Sequence, residues 1–271
     1  VLRPDMTPAV ARCVAKYFMD DDMPLRLCYL ERTFKNNSSY QGRLKERAEM
    51  GAELIGDDSA DGDAEMIAMV IDSLKAAGLK EFQVELGQVA FYRSLLEEAG
   101  FCGEVEEELN QLVENKNDFG VAELLKGQDI DEGLKQAFLK LPELFGSLEQ
   151  IAQARKLTSA PRALAAIERL EQVHAILKSY GLADYVSFDL GMLSKYHYYT
   201  GIIFKAYTYG TGDYIVTGGR YDKLLVQFGK DTPAVGFAIV VDQVMAALSR
   251  QQIDTPVTLV NTVILYEATA R

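Results

Sequence analysis

The sequence predicts an α+β fold in which an antiparallel sheet is flanked by helices and interrupted by a helical insertion. Three runs rich in β-branched and aromatic residues, 185–190, 200–209 and 214–217, are separated by glycine turns, which predicts consecutive antiparallel strands. Residues 101–180, by contrast, show helical periodicity almost throughout. With 271 residues, 48% of them hydrophobic, the chain can form one large domain or two small ones around a sizeable core.

The N-terminal part predicts a helix followed by a β-hairpin. Thr7 is placed to cap a helix over 9–18, because Pro8 follows it and proline favours the first helical position. Alternating apolar residues predict a strand over 25–34. Residues 43–55 predict the returning strand, so the two strands form a hairpin.

A helix–strand–helix unit is predicted next. The acidic run at 57–65 does not have EF-hand spacing, so we interpret it as the start of a helix rather than a cation loop. Gly78 ends this helix. A strand over 81–87 and a short helix over 89–98 complete the unit.

We expect residues 101–180 to form a helical domain inserted into a discontinuous sheet domain, which comprises residues 1–100 and 181–250. The first part of the insertion, 101–143, holds eleven acidic and four basic residues, a balance that repels polyanions. Residues 251–271 predict a linker and the start of a truncated C-terminal region.

The region after the helical segment combines tyrosines with a glycine pair. Gly218 and Gly219 directly follow the third strand, where a backbone must pass close to another group. A short helix over 222–228 and strands over 232–241 and 257–266 are predicted next. A tyrosine-lined sheet with glycines at its edge fits a small-ligand pocket, although an ordinary core turn explains the composition equally well.

Composition excludes several classes of function. A net charge of −12 argues against nucleic acid as the main partner. No apolar run approaches the ~20 residues needed to span a bilayer, and no secretory signal is expected. The three cysteines have no metal spacing, which suits a reducing cytoplasm. His174 and His197 are the two histidines, and no G-x-S-x-G motif accompanies them, so we predict neither a metal, nor a cofactor, nor a serine triad.

Four motifs occur in the order found in a known family: Leu-Arg-Pro-Asp-Met-Thr at 2–7, Tyr-Tyr-Thr-Gly at 198–201, Gly-Gly-Arg-Tyr-Asp at 218–222 and Thr-Pro-Ala-Val-Gly-Phe-Ala-Ile at 232–239. Over about residues 1–250 the chain therefore resembles the histidyl-tRNA synthetases. The resemblance implies a class II aminoacyl-tRNA synthetase-like fold, an antiparallel sheet of six or seven strands flanked by helices, with a helical insertion before the paired tyrosines.

The catalytic positions implied by this resemblance do not match. The family uses arginines to hold ATP, since a guanidinium grips phosphate through a permanently charged fork. Lys35, Ser194 and Gln243 stand at three of these positions, and Asn37 replaces a glutamate. Losing two charge-assisted bonds would lower the rate on the order of 10²–10⁴-fold. We therefore predict no catalytic residues in this chain.

The amino-acid site implied by the resemblance is better preserved. Asp5 and Thr7 match positions near the substrate ammonium, and Glu53 matches a family glutamate. Glu49 replaces a family glutamine, which leaves open whether free histidine is the ligand. Carboxylates suit an ammonium or an imidazole N–H, but such acids are also common at solvent-facing strand positions. The full candidate histidine-binding set is Asp5, Thr7, Arg43, Glu49, Glu53, Tyr198, Tyr199, Gly218, Gly219 and Tyr221.

A synthetase-like site without its arginines resembles the family of ATP phosphoribosyltransferase regulatory subunits. The resemblance implies a non-catalytic, cytoplasmic protein that pairs with a short catalytic subunit at the first step of histidine biosynthesis. It further implies a role in that subunit's activity and in histidine feedback, and self-association as a dimer. The net charge and the short apolar runs predict binding to neither nucleic acid nor membrane. The alternative is an enzyme, either a divergent histidyl-tRNA synthetase or another adenylating ligase.

We expect the purified protein to show no histidine-dependent exchange of pyrophosphate into ATP, because Lys35, Ser194 and Gln243 leave the α-phosphate without its arginines. Radiolabelled pyrophosphate exchange with and without histidine measures this, with an active histidyl-tRNA synthetase as positive control. A clear histidine-specific signal would contradict the regulatory interpretation.

Overall fold

The computed structural model describes residues 2–18, 20–36, 44–193 and 198–255. Within these residues the sheet strands are β1 (Leu25–Phe34), β2 (Glu46–Ile55), β3 (Phe82–Gln88), β4 (Phe145–Gly146), β5 (Val186–Asp189), β6 (Ile202–Thr208), β7 (Val216–Arg220) and β8 (Ala234–Val240). The helices are α1 (Thr7–Tyr17), α2 (Ala60–Ala76), α3 (Val89–Ala99), α4 (Glu104–Glu114), α5 (Asp118–Lys126), α6 (Glu132–Lys140), α7 (Leu148–Ala154), α8 (Pro161–Ser179) and α9 (Val241–Arg250). Short 3₁₀ helices cover Leu141–Glu143, Ala183–Tyr185 and Leu225–Phe228.

The strands form one mixed sheet in the order β1-β2-β8-β7-β6-β3-β5-β4. All neighbouring pairs are antiparallel except β3 and β5, which run parallel. The prediction of three consecutive antiparallel strands is therefore right for β6 and β7 but wrong for β5, because β3 lies between β5 and β6. The chain from β3 to β5 crosses over through the helical segment, and such a crossover returns a strand in the parallel direction.

The predicted N-terminal hairpin is confirmed. Leu25 pairs with Ile55 and Phe34 pairs with Glu46, so β1 and β2 match along their full lengths. The returning strand begins at Glu46, while Arg43 lies outside the described residues, as does the strand predicted over 257–266.

Two helix starts differ in how well the sequence predicts them. The acidic run does start a helix, and the Ser59 side chain caps α2 by accepting from the Gly62 N–H at 3.1 Å. Thr7 was expected as the cap of α1, but the cap is Met6, which makes no side-chain bond. Thr7 is the first residue of the helix, and its hydroxyl is bonded to Glu53 of the sheet instead of to the helix start.

The glycine pair lies inside β7, in the middle of the sheet, so its predicted position in an edge turn is wrong. The helix predicted over 222–228 is reduced to the 3₁₀ turn Leu225–Phe228, which packs beside α1. The next strand ends at Val240, and α9 begins at the following residue.

One continuous apolar cluster joins the sheet to the helical segment. Leu54, Val84 and Phe204 from the strands pack in the same cluster as Ile67 of α2 and Leu170 of α8. The helical character of 101–180 is confirmed apart from the two-residue β4, while the domain boundaries stay a prediction. In the described part of the chain, no helix combines the length and apolarity needed to cross a membrane.

A buried ion network joins three elements of this framework. Asp63, in the first turn of α2, has a fully buried side chain. Its Oδ1 accepts from Arg220 Nε of β7 at 2.8 Å, and its Oδ2 accepts from Arg169 Nε of α8 at 2.7 Å. Arg220 also donates to the carbonyl oxygen of Asp57 at 2.9 Å and to Asp222 Oδ1 at 3.0 Å. The network therefore fixes the start of α2 against both β7 and α8.

We expect Asp63→Asn to lower the free energy of unfolding by about 3 kcal/mol, because it leaves two guanidinium groups without the buried charge they share. Asp61→Asn is the matched control, since Asp61 is exposed in the same helical turn and its loss costs below about 1 kcal/mol. Urea unfolding of the two variants and the wild type measures both effects. Equal stability of the two variants would contradict a structural role for Asp63.

Candidate ligand-binding site

The candidate site lies where α1, β2, β7 and β8 meet the segment 198–201. Across these strands Glu53 pairs with Gly236, and Gly236 pairs with Gly219, so all three positions share one face of the sheet. Tyr199 and Tyr221 belong to a second apolar cluster, which lies between this face and α1. The structure therefore brings motifs from three distant parts of the chain together.

Glu53 is the centre of the cluster and is almost fully buried. Its Oε1 accepts from the Thr7 hydroxyl at 2.9 Å, and its Oε2 accepts from the Tyr221 hydroxyl at 2.5 Å. Burial raises the pKa of Glu53 to about 8, although both hydroxyl bonds act in the opposite direction. The same burial, together with the neighbouring Glu53 charge, raises the pKa of Tyr221 well above its ordinary value.

Two glycines create the room for these side chains. A Cβ on Gly236 would lie 1.6 Å from Glu53 Oε2, so the carboxylate occupies space that any other residue would fill. A Cβ on Gly219 would lie 2.8 Å from the Tyr199 ring and from the Ile202 carbonyl oxygen. The close approach expected of the glycine pair is therefore real at Gly219, but the approaching group is an aromatic ring.

Asp5 forms the outer side of the cluster. Its Oδ1 accepts from the Thr7 N–H at 3.1 Å, and its Oδ2 accepts from the Tyr198 hydroxyl at 2.7 Å. The Tyr198 ring lies 4.8 Å from that of Tyr199 and 5.9 Å from that of Tyr221, measured between centroids. The acid of the first motif is thus bonded to the first tyrosine of the second motif.

Glu49 lies on the same strand as Glu53 and is also buried. Burial raises the pKa of Glu49, while Thr33 and Lys35 lower it and Asp5 raises it further. Three carboxyl groups therefore share one region. A cation bound there would favour their ionised forms, so the region suits a cationic group better than an anionic one.

Tyr29 belongs to this site and was missed by the motif analysis. It pairs with Gly51 across the hairpin, between the pairs that contain Glu53 and Glu49. Its buried hydroxyl has no hydrogen-bond partner among the described residues, and burial followed by the Glu53 charge raises its pKa. Strand alternation was the available signal, because Leu27, Tyr29 and Glu31 must share one face.

Not every candidate joins the cluster. A Cβ on Gly218 would face the Phe204 ring on the helix-covered side of the sheet, away from Glu53. Arg43 lies outside the described residues. Two surface cavities, of about 640 and 520 Å³, are lined by none of the ten candidates. The described part of the chain contains no group of His, Cys, Asp and Glu arranged to hold a metal ion.

Two of the three residues that replace the arginines implied by the resemblance lie among the described residues. The Lys35 N–H donates to the Lys45 carbonyl oxygen at 2.8 Å and continues the hairpin beyond β1. Gln243 lies in the first turn of α9, next to Asp242, whose carboxylate accepts from the Ala48 N–H at 2.8 Å. Ser194 lies outside the described residues.

The family model for histidyl-tRNA synthetase matches residues 1–244. The chain belongs to the histidyl-tRNA synthetase family. This assignment agrees with the four motifs and with the geometry above, in which three of the motifs supply the hydrogen bonds of the cluster and the fourth supplies Gly236 beside Glu53. The sheet of this member is mixed and has eight strands in the described residues, rather than the six or seven antiparallel strands expected.

The chain is also similar to three individual proteins. It is 41% identical over all 271 residues to an ATP phosphoribosyltransferase regulatory subunit of Acetivibrio thermocellus, of which it spans 65% of the length. A Bacillus halodurans structure described as an ATP phosphoribosyltransferase regulatory subunit/histidyl-tRNA synthetase superposes with a TM-score of 0.82 and 35% identity, over 90% of this chain and 64% of that one. A chain of the ATP phosphoribosyl transferase (HisG:HisZ) complex from Thermotoga maritima, 20% identical, shares the fold with a TM-score of 0.68 over 88% of this chain and 80% of its own.

We expect Glu53→Gln to remove part of the pH dependence of stability. Between its ordinary pKa of 4.5 and about 8, the folded state keeps a proton on Glu53 that the unfolded state releases. Glu53 therefore makes the free energy of unfolding fall as pH rises through this window, by a few kcal/mol at most, since each pKa unit is worth about 1.4 kcal/mol. The glutamine variant should gain stability relative to wild type from pH 5 to pH 8 in urea unfolding.

Glu46→Gln is the control for this measurement. Glu46 lies on the same strand, but its carboxylate is exposed and pairs with Arg32. Its variant should follow the wild-type pH profile. A Glu53→Gln profile parallel to that of wild type would show that Glu53 is ionised throughout the window.

Proposed function

We propose that this chain is the synthetase-like part of a regulatory subunit of ATP phosphoribosyltransferase. In this proposal it has no synthetase activity of its own and is required for the activity of a short catalytic subunit in the cytoplasm. It also takes part in histidine feedback at the first step of histidine biosynthesis. The observation that carries the proposal is the 41% identity, over the whole of this chain, to a protein of that name.

The site supports a binding role rather than a catalytic one. Asp5, Glu49 and Glu53 are grouped beside tyrosine rings, which suits a ligand with a cationic end and an aromatic ring. In the described structure Asp5 and Glu53 are satisfied by hydroxyl and amide donors of the chain itself. A ligand ammonium would replace the Tyr198 hydroxyl at Asp5, and the ring would lie against the tyrosines.

The second candidate function is that of a histidyl-tRNA synthetase. It is favoured by the preserved amino-acid site and by the Bacillus halodurans description, which names both functions. Lys35 and Gln243 argue against it, because neither side chain provides the bidentate, permanently charged contact of an arginine to phosphate.

We expect the intact protein to co-purify with a short ATP phosphoribosyltransferase catalytic subunit of its own organism and to raise its turnover of ATP and phosphoribosyl pyrophosphate. The partnership is supported by the similarity to a regulatory subunit, and by Lys35, Ser194 and Gln243 at positions where the resemblance implies arginines. Size-exclusion chromatography of the mixture and a steady-state rate assay measure association and activation. A catalytic subunit that is equally active alone and never associates would contradict the proposal.

Feedback is tested in the same assay by adding histidine to complexes that contain wild type or Asp5→Asn. Losing the charge-assisted contact of Asp5 should weaken inhibition by about 10- to 100-fold, while activation stays intact. The matched control is Asp61→Asn, an equal change of charge on the exposed face of α2. Inhibition that is unchanged in Asp5→Asn would assign histidine binding to another site or to the partner.

A further inference from the structure

The segment that carries the paired tyrosines is bonded to the ion network beneath it. The Thr200 N–H donates to the Arg220 carbonyl oxygen at 2.8 Å, and the Thr200 hydroxyl donates to Asp222 Oδ2 at 3.2 Å. In return the Asp222 N–H donates to the Thr200 hydroxyl at 3.0 Å. A Cβ on Gly201 would lie 3.2 Å from Arg220 Cδ, so this backbone rests directly on the arginine side chain.

Arg220 links Thr200 to Asp63 by an ion pair. The Arg220 side chain is 6% exposed, and its ion pair with the fully buried Asp63 is shielded from water. Arg220 and Asp222 face the network, whereas Tyr221 between them points to Glu53. A displacement of Arg220 therefore moves both Thr200 and the tyrosine that donates to Glu53.

Arg169 holds the other oxygen of Asp63 from the helical segment. It lies on α8, and a second bond runs from its Nη2 to the Asp58 carbonyl oxygen. Its side chain is 24% exposed, so it reaches from the surface of α8 into the buried network. Within the described residues this gives a continuous path of hydrogen bonds from α8 to Thr200, the residue that directly follows the Tyr198–Tyr199 pair in the chain.

We infer that Arg169 is a positioning residue for the ligand site, acting through Asp63 and Arg220. Its guanidinium orients the Asp63 carboxylate, which fixes Arg220 and, through Thr200 and Asp222, the backbone beside Tyr198 and Tyr199. By the same path, a ligand bound at the site affects the position of α8. Because such coupling is reciprocal, a change in the position of α8 affects ligand binding equally. The identity of the ligand rests on the proposed function, but the coupling does not.

Hydrogen–deuterium exchange of the intact protein tests the coupling without any ligand. In Arg169→Gln the amides of Thr200 and Asp222 should exchange about three- to tenfold faster than in wild type, relative to amides of β1, as expected of residues in one bonded network. Arg162→Gln is the matched control, because Arg162 lies on the same helix and pairs with Glu97 at the surface. Its exchange at Thr200 should equal that of wild type.

Three results would overturn the inference: unchanged exchange at Thr200 in Arg169→Gln, an equal rise in Arg162→Gln, or a uniform rise that includes β1. If Arg169→Gln does not fold, Arg169→Lys replaces it, since the single nitrogen of a lysine does not reproduce the planar fork in which Nε bonds Asp63 and Nη2 bonds the Asp58 carbonyl. A smaller rise at Thr200 in that variant supports the inference. If the Thr200 amide of Arg169→Lys exchanges as in wild type, Arg169 contributes only to the stability of the whole fold, and the inference is rejected.

Millimolar histidine adds a second arm that separates the two proposals. In wild type it should slow exchange both at Thr200 and in α8 around Arg169. In Arg169→Gln the protection at Thr200 should remain, while that in α8 disappears. Absence of any protection in wild type would contradict histidine as the ligand, whereas the ligand-free comparison would still decide the coupling.

Discussion

The arrangement of the site depends on one buried carboxylate. Asp63 accepts hydrogen bonds from two arginines, one at the end of β7 and one on α8. Removing such charges from water is costly, and the cost is offset only when every donor and acceptor is in place. We interpret the network as a device that permits one packing of α2, β7 and α8, because any other packing leaves a charge buried without its partner.

The alternation of side chains at the end of β7 connects the ion network to the ligand site. Successive residues along the chain alternate in direction, so Arg220 and Asp222 face the network while Tyr221 reaches Glu53. Glu53 in turn occupies the space left free above Gly236. Its acceptors are filled by neutral hydroxyl donors, which can turn toward another acceptor when a ligand cation takes their place.

The sequence predicts best what is local or carried by a motif. Alternation predicts the hairpin of β1 and β2, and the motifs identify Asp5, Thr7 and Glu53 before their contacts are known. It does not predict that β5 pairs with β3, because periodicity shows which face a residue occupies and not which strand lies beside it. For the same reason Arg169 was missed: its partner Asp63 lies 106 residues away, and only the folded chain brings them together. The glycine pair indicated that another group approaches the backbone closely. No sequence pattern shows whether such glycines form a turn or lie within a strand that an aromatic ring packs against.

The order of the sheet also has a consequence for the newly made chain. β2 pairs on one side with β1, its neighbour in sequence, and on the other with β8, where Glu49 faces Val240. On the ribosome the edge of β2 that faces β8 thus stays unpaired until residues 234–240 have been made, on the order of 10–40 seconds later at usual rates of synthesis. An open strand edge next to apolar side chains invites pairing with other chains. We therefore expect the nascent hairpin to be a segment on which a chaperone can act during translation.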